Sequence, residues 1–239
     1  MTSQPPIHSP HETLEAAASA LVSIGREFYG RGWAVATGGN FSTRLGDTSM
    51  VITASGRDKG ALTVDDMVVL DLDGHILPSG PRPPPGSSRP PPGSSRSSRP
   101  LPSAETKLHA KLYMRLPQVG AVLHVHSPCA TVLSRLDAPT GVLELSGYEM
   151  LKALSGVRSH EHKERVPIFT NTQNMEDLAH EVDAWMDAFG SDEIHGYLVS
   201  GHGLYSWGRN VLEARRHVEA LEFLFDCTLR ARTVTRNAP

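Results

Sequence analysis

Cysteine is scarce in this chain. Two residues in 239, Cys129 and Cys227, are too few for a disulfide framework, and each lies in an apolar segment that predicts a buried thiol in a reducing compartment. Long apolar runs are absent as well: no stretch reaches the roughly 18 uninterrupted apolar residues of a membrane span. The leading MTSQPPIHSPHETL has no basic patch ahead of an apolar core, so secretion is not expected. Together these absences predict a cytoplasmic protein with no membrane partner. Positive charge is not in excess either. With 23 Lys and Arg against 26 Asp and Glu, the chain offers no general attraction for nucleic acid, and any anion it binds must be held by a local site.

What is present suits a globular fold. At 39% hydrophobic and 21% charged, the chain can bury one sizeable core, and a single domain over residues 1–239 is expected. One segment departs from this texture. PPPGSSR occurs twice in tandem, at residues 83–89 and 90–96, and nothing in it can enter a core. Residues 78–102 therefore read as a low-complexity Pro/Ser/Arg loop inserted within the domain. A proline-rich ligand for a small recognition domain is the alternative use of such a repeat.

Helical and strand patterns alternate along the rest. Ser9-Pro10-His11-Glu12 supplies an N-cap, a first-turn proline and a capping-box glutamate. The helix they open carries Leu14, Ala18, Leu21, Val22 and Phe28 on one stripe and stops at Gly30 and Gly32. WAVAT, GGNFSTRL, MVITAS and MVVLDLDGHIL then read as strands separated by glycine turns. Ser103 caps a helix over ETKLHAKLYMRL, YEMLKAL is a short helix, RSHEHKER a solvated charged stretch, and Asn174 caps MEDLAHEVDAWMDAF, which ends at Gly190. GYLVSGHGLYSWG reads as two strands joined by Gly201-His202-Gly203. Asn210 and Glu213 open a last helix with Val211, Val218, Leu221 and Phe225 on one stripe. The fold class is α/β, with a mainly antiparallel central sheet covered by helices.

The chemistry concentrates in GAVLHVHSP, residues 120–128. Its apolar, partly β-branched run predicts a buried strand, and the two-residue repeat of a strand puts His124 and His126 on one face. Burying even one imidazole without partners costs about 1–3 kcal/mol, so a pair side by side points to a shared metal ion. A catalytic zinc takes three protein ligands and keeps a position for water or substrate. Among the other histidines, His202 is the best third ligand, because its flanking glycines let the backbone turn tightly and approach a bulky centre. The other His-x-His, His160 and His162, sits in a charged stretch without apolar alternation and reads as solvated loop.

Carbonyl chemistry at a metal needs acid/base partners, and two glutamates bracket the histidine strand. Glu105 opens the preceding helix, where an acidic residue also serves the helix dipole. Glu149 follows in YEMLKAL, where an isolated glutamate is also an ordinary surface residue. Ahead of them, GGNFS (38–42) and TASGRDKG (53–60) could present backbone amides and hydroxyls to an anion, with Lys59 adding charge. Such loops ahead of a metal site suggest a phosphorylated substrate.

Taken in order, GGNFS, ITASGRDK, PSAET, AVLHVHSP, YEMLKA, VPIFTNT and GHGLYSWG resemble the class II aldolase superfamily, most closely its branch of methylthioribulose-1-phosphate dehydratases. The resemblance runs from about residue 10 to about residue 230. It implies a three-layer α/β/α subunit, a homotetramer, and one Zn2+ per subunit on His124, His126 and His202. It further implies Glu149 as acid/base, Glu105 as a second site glutamate, and Asn40, Ser42, Thr53, Ser55, Gly56 and Ser103 lining a sugar-phosphate pocket. The activity it implies is a hydro-lyase of methionine salvage that dehydrates 5-methylthioribulose 1-phosphate to 2,3-diketo-5-methylthiopentyl 1-phosphate. The alternatives are a class II sugar-phosphate aldolase or 4-epimerase, and, from another class, a non-catalytic adducin-like scaffold domain.

Overall fold

The computed structural model describes residues 13–78, 100–190 and 194–236. Eight strands form one sheet in the order β3-β2-β1-β4-β8-β7-β6-β5. They are β1 (Asn40–Leu45), β2 (Ser49–Thr53), β3 (Met67–Asp71), β4 (Ala121–Val125), β5 (Val142–Leu145), β6 (Glu164–Phe169), β7 (Gly196–Val199) and β8 (Gly203–Gly208). Every neighbouring pair is antiparallel except β6 and β7. Five helices cover the sheet: α1 (Leu14–Gly30), α2 (Thr106–Arg115), α3 (Pro128–Leu136), α4 (Met175–Phe189) and α5 (Val211–Arg236).

Alternation along the strands builds two cores. Phe41, Val51, Leu123 and Val125 face α1, α3 and α5, where Leu21, Phe28, Leu133, Val218, Leu221 and Phe225 close the first layer. Met50, Ile52, Val122 and Tyr205 face the other way, against Leu108 and Leu112 of α2 and Leu178 and Val182 of α4. Burying each of these large side chains fully contributes about 1.5–3 kcal/mol, which is why the sheet cannot slip by one residue without turning both faces inside out. The α/β/α layering and the mainly antiparallel sheet are as the sequence implied.

Several local expectations are corrected. The cap expected at Ser9 to Glu12 lies outside the described residues; α1 instead begins at Leu14, with the Thr13 hydroxyl accepting from the Ala16 amide at 3.2 Å. WAVAT is a turn, not a strand: Val35 is exposed, Ala36 has a φ of 54°, and the Trp33 carbonyl accepts from the His126 amide at 2.8 Å. A five-residue run with alanine at alternate positions fits a turn wrapped around a site as readily as a strand. YEMLKAL forms a 3-10 turn over Glu149–Ala153 rather than an α-helix. RSHEHKER is not wholly solvated, since Glu164 begins β6 and is fully buried. Its carboxylate accepts from the His195 amide at 3.1 Å, the His195 Nδ1 at 3.0 Å and the His162 Nε2 at 3.0 Å, and that many donors offset the desolvation. Cys129 and Cys227 are unpaired and only half-buried. The tandem repeat lies outside the described residues, but the chain returning from it is seated: Leu101 accepts from the Ser55 amide at 2.8 Å.

Candidate metal centre

Two elements, β4 and α2, and one turn bring four donors together. The central strand β4 carries His124, and His126 follows one residue past its end. His202 sits in the β7–β8 turn, between Gly201 in the left-handed region (φ 66°) and Gly203, whose Cα faces the Val125 carbonyl so closely that any side chain would overlap it. Glu105 stands at the first turn of α2. The donor atoms of Glu105, His124, His126 and His202 all lie within 4.8 Å of one another.

The spacing fits a single ion. Four ligands at about 2.0–2.1 Å from a tetrahedral centre lie about 3.4 Å apart. Here His124 Nε2 is 2.8 Å from His126 Nε2 and 3.3 Å from His202 Nε2, and Glu105 oxygens are 3.1 Å from His202 Nε2 and 3.8 Å from His124 Nε2. His124 Nδ1–H donates to the Leu204 carbonyl at 3.0 Å, which fixes the tautomer and leaves Nε2 as a bare donor. Burial pushes His124 well below its ordinary pKa, and burial first, then the charge of His202, brings His126 down to about 4. Both rings are therefore neutral, the form that binds a metal. Burial alone would raise the Glu105 carboxyl. The hydrogen bond with His202, and with it the amide of Asn40, outweigh it and hold Glu105 below the usual carboxylate range. Three imidazoles with a carboxylate beside them suit zinc and its neighbours among divalent metals.

A cleft of about 220 Å³ opens beside this group, lined by Gly38, Gly39, Asn40, Ser55, Gly56, Lys59 and Ser103 together with Glu105 and His126. Lys59 is 1% exposed, and its ammonium donates to the carbonyls of Thr37 at 3.1 Å and Arg57 at 2.8 Å. Burial lowers its pKa to about 8 against the opposing charges of Asp58 and Glu105. Two of its three protons are thus committed to the loop, and one remains for an occupant of the cleft.

Three of the expected site residues stand elsewhere in this chain. Ser42 is fully buried, with its hydroxyl 2.7 Å from His109 Nδ1 and 2.8 Å from the Tyr113 hydroxyl. Thr53 is fully buried and accepts from the Phe41 amide at 3.1 Å. Both brace β1 from behind the cleft. Glu149 is 69% exposed, pairs with Lys152, and lies 3.4 Å from His160 Nδ1. The hydrogen bond from Lys152 lowers its pKa. The structure does not bring it into the group formed by His124, His126 and His202 of its own chain. Sequence reasoning, conversely, passed over Leu204, Tyr205 and His109. For His109 the available signal was its place four residues after Glu105, which sets both on one side of α2.

Residues 19–229 match the class II aldolase and adducin N-terminal domain family, and the chain belongs to that family, whose class II aldolases are metal-dependent. Among curated relatives, the methylthioribulose-1-phosphate dehydratase of Sorangium cellulosum (strain So ce56) is 46% identical over 217 residues, covering 91% of this chain and 93% of that protein. That of Stenotrophomonas maltophilia (strain K279a) is 46% identical over 226 residues, covering 93% and 95%. Among solved structures, L-fuculose-1-phosphate aldolase from Thermus thermophilus is similar in fold, with a TM-score of 0.68 at 25% identity, covering 93% of this chain and 97% of the aldolase.

Proposed function

We propose that this chain is a hydro-lyase that dehydrates 5-methylthioribulose 1-phosphate to 2,3-diketo-5-methylthiopentyl 1-phosphate, a step of methionine salvage. The observation that carries the reading is the convergence of three imidazoles and an ionised carboxylate at the mouth of a cleft with a buried lysine, in a chain whose relatives bear that activity in their names. The ion assigned to His124, His126 and His202 is Zn2+, one per subunit. When bound, it supplies Lewis acidity to the carbonyl end of the substrate.

The chain's own groups do the rest. The hydroxyls of Ser55 and Ser103, the loop amides around Gly38, Gly39 and Gly56, and the Lys59 ammonium hold the phosphate, which anchors the sugar in one direction. Asn40 orients Glu105 through its amide, and the ionised Glu105 stands where it can take the C3 proton. Loss of the C4 hydroxyl as water then requires a proton donor, and it leaves an enol across C3 and C4 that becomes the dicarbonyl when C4 gains a proton and the C3 hydroxyl loses one. Glu149 fills that role from a neighbouring copy, because its side chain is 69% exposed, pairs with the surface groups of Lys152 and His160, and is held away from its own cleft. A homotetramer supplies such neighbours. The catalytic unit is one domain over residues 1–239, with the 78–102 segment as an insert at its rim, working in the cytoplasm. Among the described residues no helix is long and apolar enough to cross a membrane.

Incubating the purified protein with synthetic 5-methylthioribulose 1-phosphate tests this directly. Accumulation of the dicarbonyl supports the dehydratase. The fold likeness to the fuculose-phosphate aldolase motivates the rival outcome, breakage of the C3–C4 bond with release of an aldehyde, which would replace the dehydratase reading with an aldolase.

A further inference from the structure

We propose that Tyr205 is a positioning residue of the metal centre: its ring, stacked face to face on that of His124, holds the imidazole in the plane that aims Nε2 at the other ligands. The proposal rests on reading Glu105, His124, His126 and His202 as a metal site.

The sheet register creates the stack. Tyr205 on β8 is the direct cross-strand partner of His124 on β4, and Tyr197 on β7 is the direct partner of Tyr205. Three adjacent strands thus set three rings in a row on the face covered by α2 and α4. The His124 and Tyr205 rings lie 3.8 Å apart, centroid to centroid, with an 11° angle between planes. Tyr197 stacks on the far side of Tyr205 at 4.8 Å and 15°, and His109 meets Tyr205 edge-on at 5.9 Å and 72°. Tyr205 is itself fully buried.

A histidine ring needs such a support. Its χ2 torsion is broad, so no rotamer well fixes the ring plane. The hydrogen bond from Nδ1 to Leu204 pins one atom and still lets the ring tilt about that contact. His126 and His202 cannot prevent the tilt, since both meet His124 edge-on, at 64° and 90°. The face of Tyr205 is the contact that removes it. The same strand therefore sets both the tautomer, through Leu204, and the plane, through Tyr205. The Tyr205 hydroxyl plays no part in this, being buried with no hydrogen-bond partner among the described residues.

Titration of the full-length protein with Zn2+ or Co2+ alone, in competition with a chromophoric chelator, tests the assignment. Tyr205→Leu removes the flat support and is expected to bind metal about 10- to 100-fold more weakly, the scale on which groups that orient a ligand act, with an altered Co2+ absorption band. Tyr205→Phe keeps the ring and should match the parent. Tyr197→Leu removes a comparable core ring that touches no ligand, and should lower the melting temperature while leaving metal affinity unchanged. Parent-like affinity in Tyr205→Leu overturns the proposal, as does equal weakening in Tyr197→Leu. Tyr205→Phe preserves the core volume and so folds even where leucine does not, and a tenfold loss of affinity there overturns the proposal too. A parent protein that binds neither metal removes the metal-site reading itself, a result separate from any difference among the variants.

Discussion

Gly39 and His124 approach each other backbone to backbone: a Cβ at Gly39 would stand 2.5 Å from the His124 carbonyl oxygen. Gly39 also has a φ of 75°, in the region L side chains avoid. The next residue, Asn40, is the register partner of His124, so this glycine lets the chain enter β1 directly alongside the ligand strand. Gly39→Ala is expected to cost about 1–3 kcal/mol through backbone strain, lowering the melting temperature by roughly 2–4 °C for each kcal/mol and weakening metal binding. Thermal unfolding and metal titration check it, and an unchanged melting temperature contradicts it.

His202 reaches the group only through a turn distant in sequence, so its removal leaves β4 and both other rings in place. His202→Ala should retain the fold, lose bound metal after dialysis, and lose turnover by on the order of 10²–10³ or more, the scale of removing a principal electrostatic stabiliser. Elemental analysis beside the dehydration assay decides the matter. A metal-free variant with parental turnover would falsify the assignment.

Lys59 gives the reaction a basic limb. Burial has brought its ammonium to about 8, so raising the pH through that value removes the charge offered to the substrate phosphate. KM should rise about tenfold per pH unit above the turning point, the slope of a single ionisation, with kcat little changed. Lys59→Met should have a high KM at every pH and no such limb. For stability the sign is opposite: between the folded value and the ordinary lysine value the unfolded chain binds more protons, so the cost of burying this lysine diminishes as pH rises.

Glu164 and His195 form a buried pair that holds β6 to the entry of β7. Burial opposes both charges, yet the mutual hydrogen bond lowers the Glu164 pKa and raises that of His195. The glutamate's contribution is present above its unfolded value of about 4.3 and is lost as pH falls through its lowered folded value. The histidine's is complete below about 6.5 and is lost as pH rises through its raised folded value. Glu164→Gln should destabilise the protein by about 3–5 kcal/mol, as expected when one partner of a buried pair is removed, and should flatten the pH dependence of chemical denaturation below about 4.3 and above about 6.5. An unaltered denaturation midpoint would count against it.

Local chemistry made much of the molecule legible in advance. The 3.6-residue stripes of α1, α4 and α5 are consequences of burying one face, and the apolar runs of β2, β3 and β4 of burying both; they survive folding because nothing in the tertiary structure opposes them. His124 and His126 were readable for the same reason, since two imidazoles in an apolar strand need a common partner. His202 was readable because glycines on both sides mark a turn that closes on something. Tertiary structure decided what depends on neighbours far along the chain. The strand order sets Tyr205 against His124 from a distant part of the chain, a register no local pattern contains. The same applies to Ser42 and Thr53, whose residue types suit a phosphate pocket but whose hydroxyls the α2 side of the sheet and the β1 backbone claim first. Glu149 shows the limit most plainly. Its place after the histidine strand and the family resemblance implied a role in the site, while the fold of one chain turned it outward, because a side chain's company is set by where its backbone is carried and not by what stands near it in the sequence.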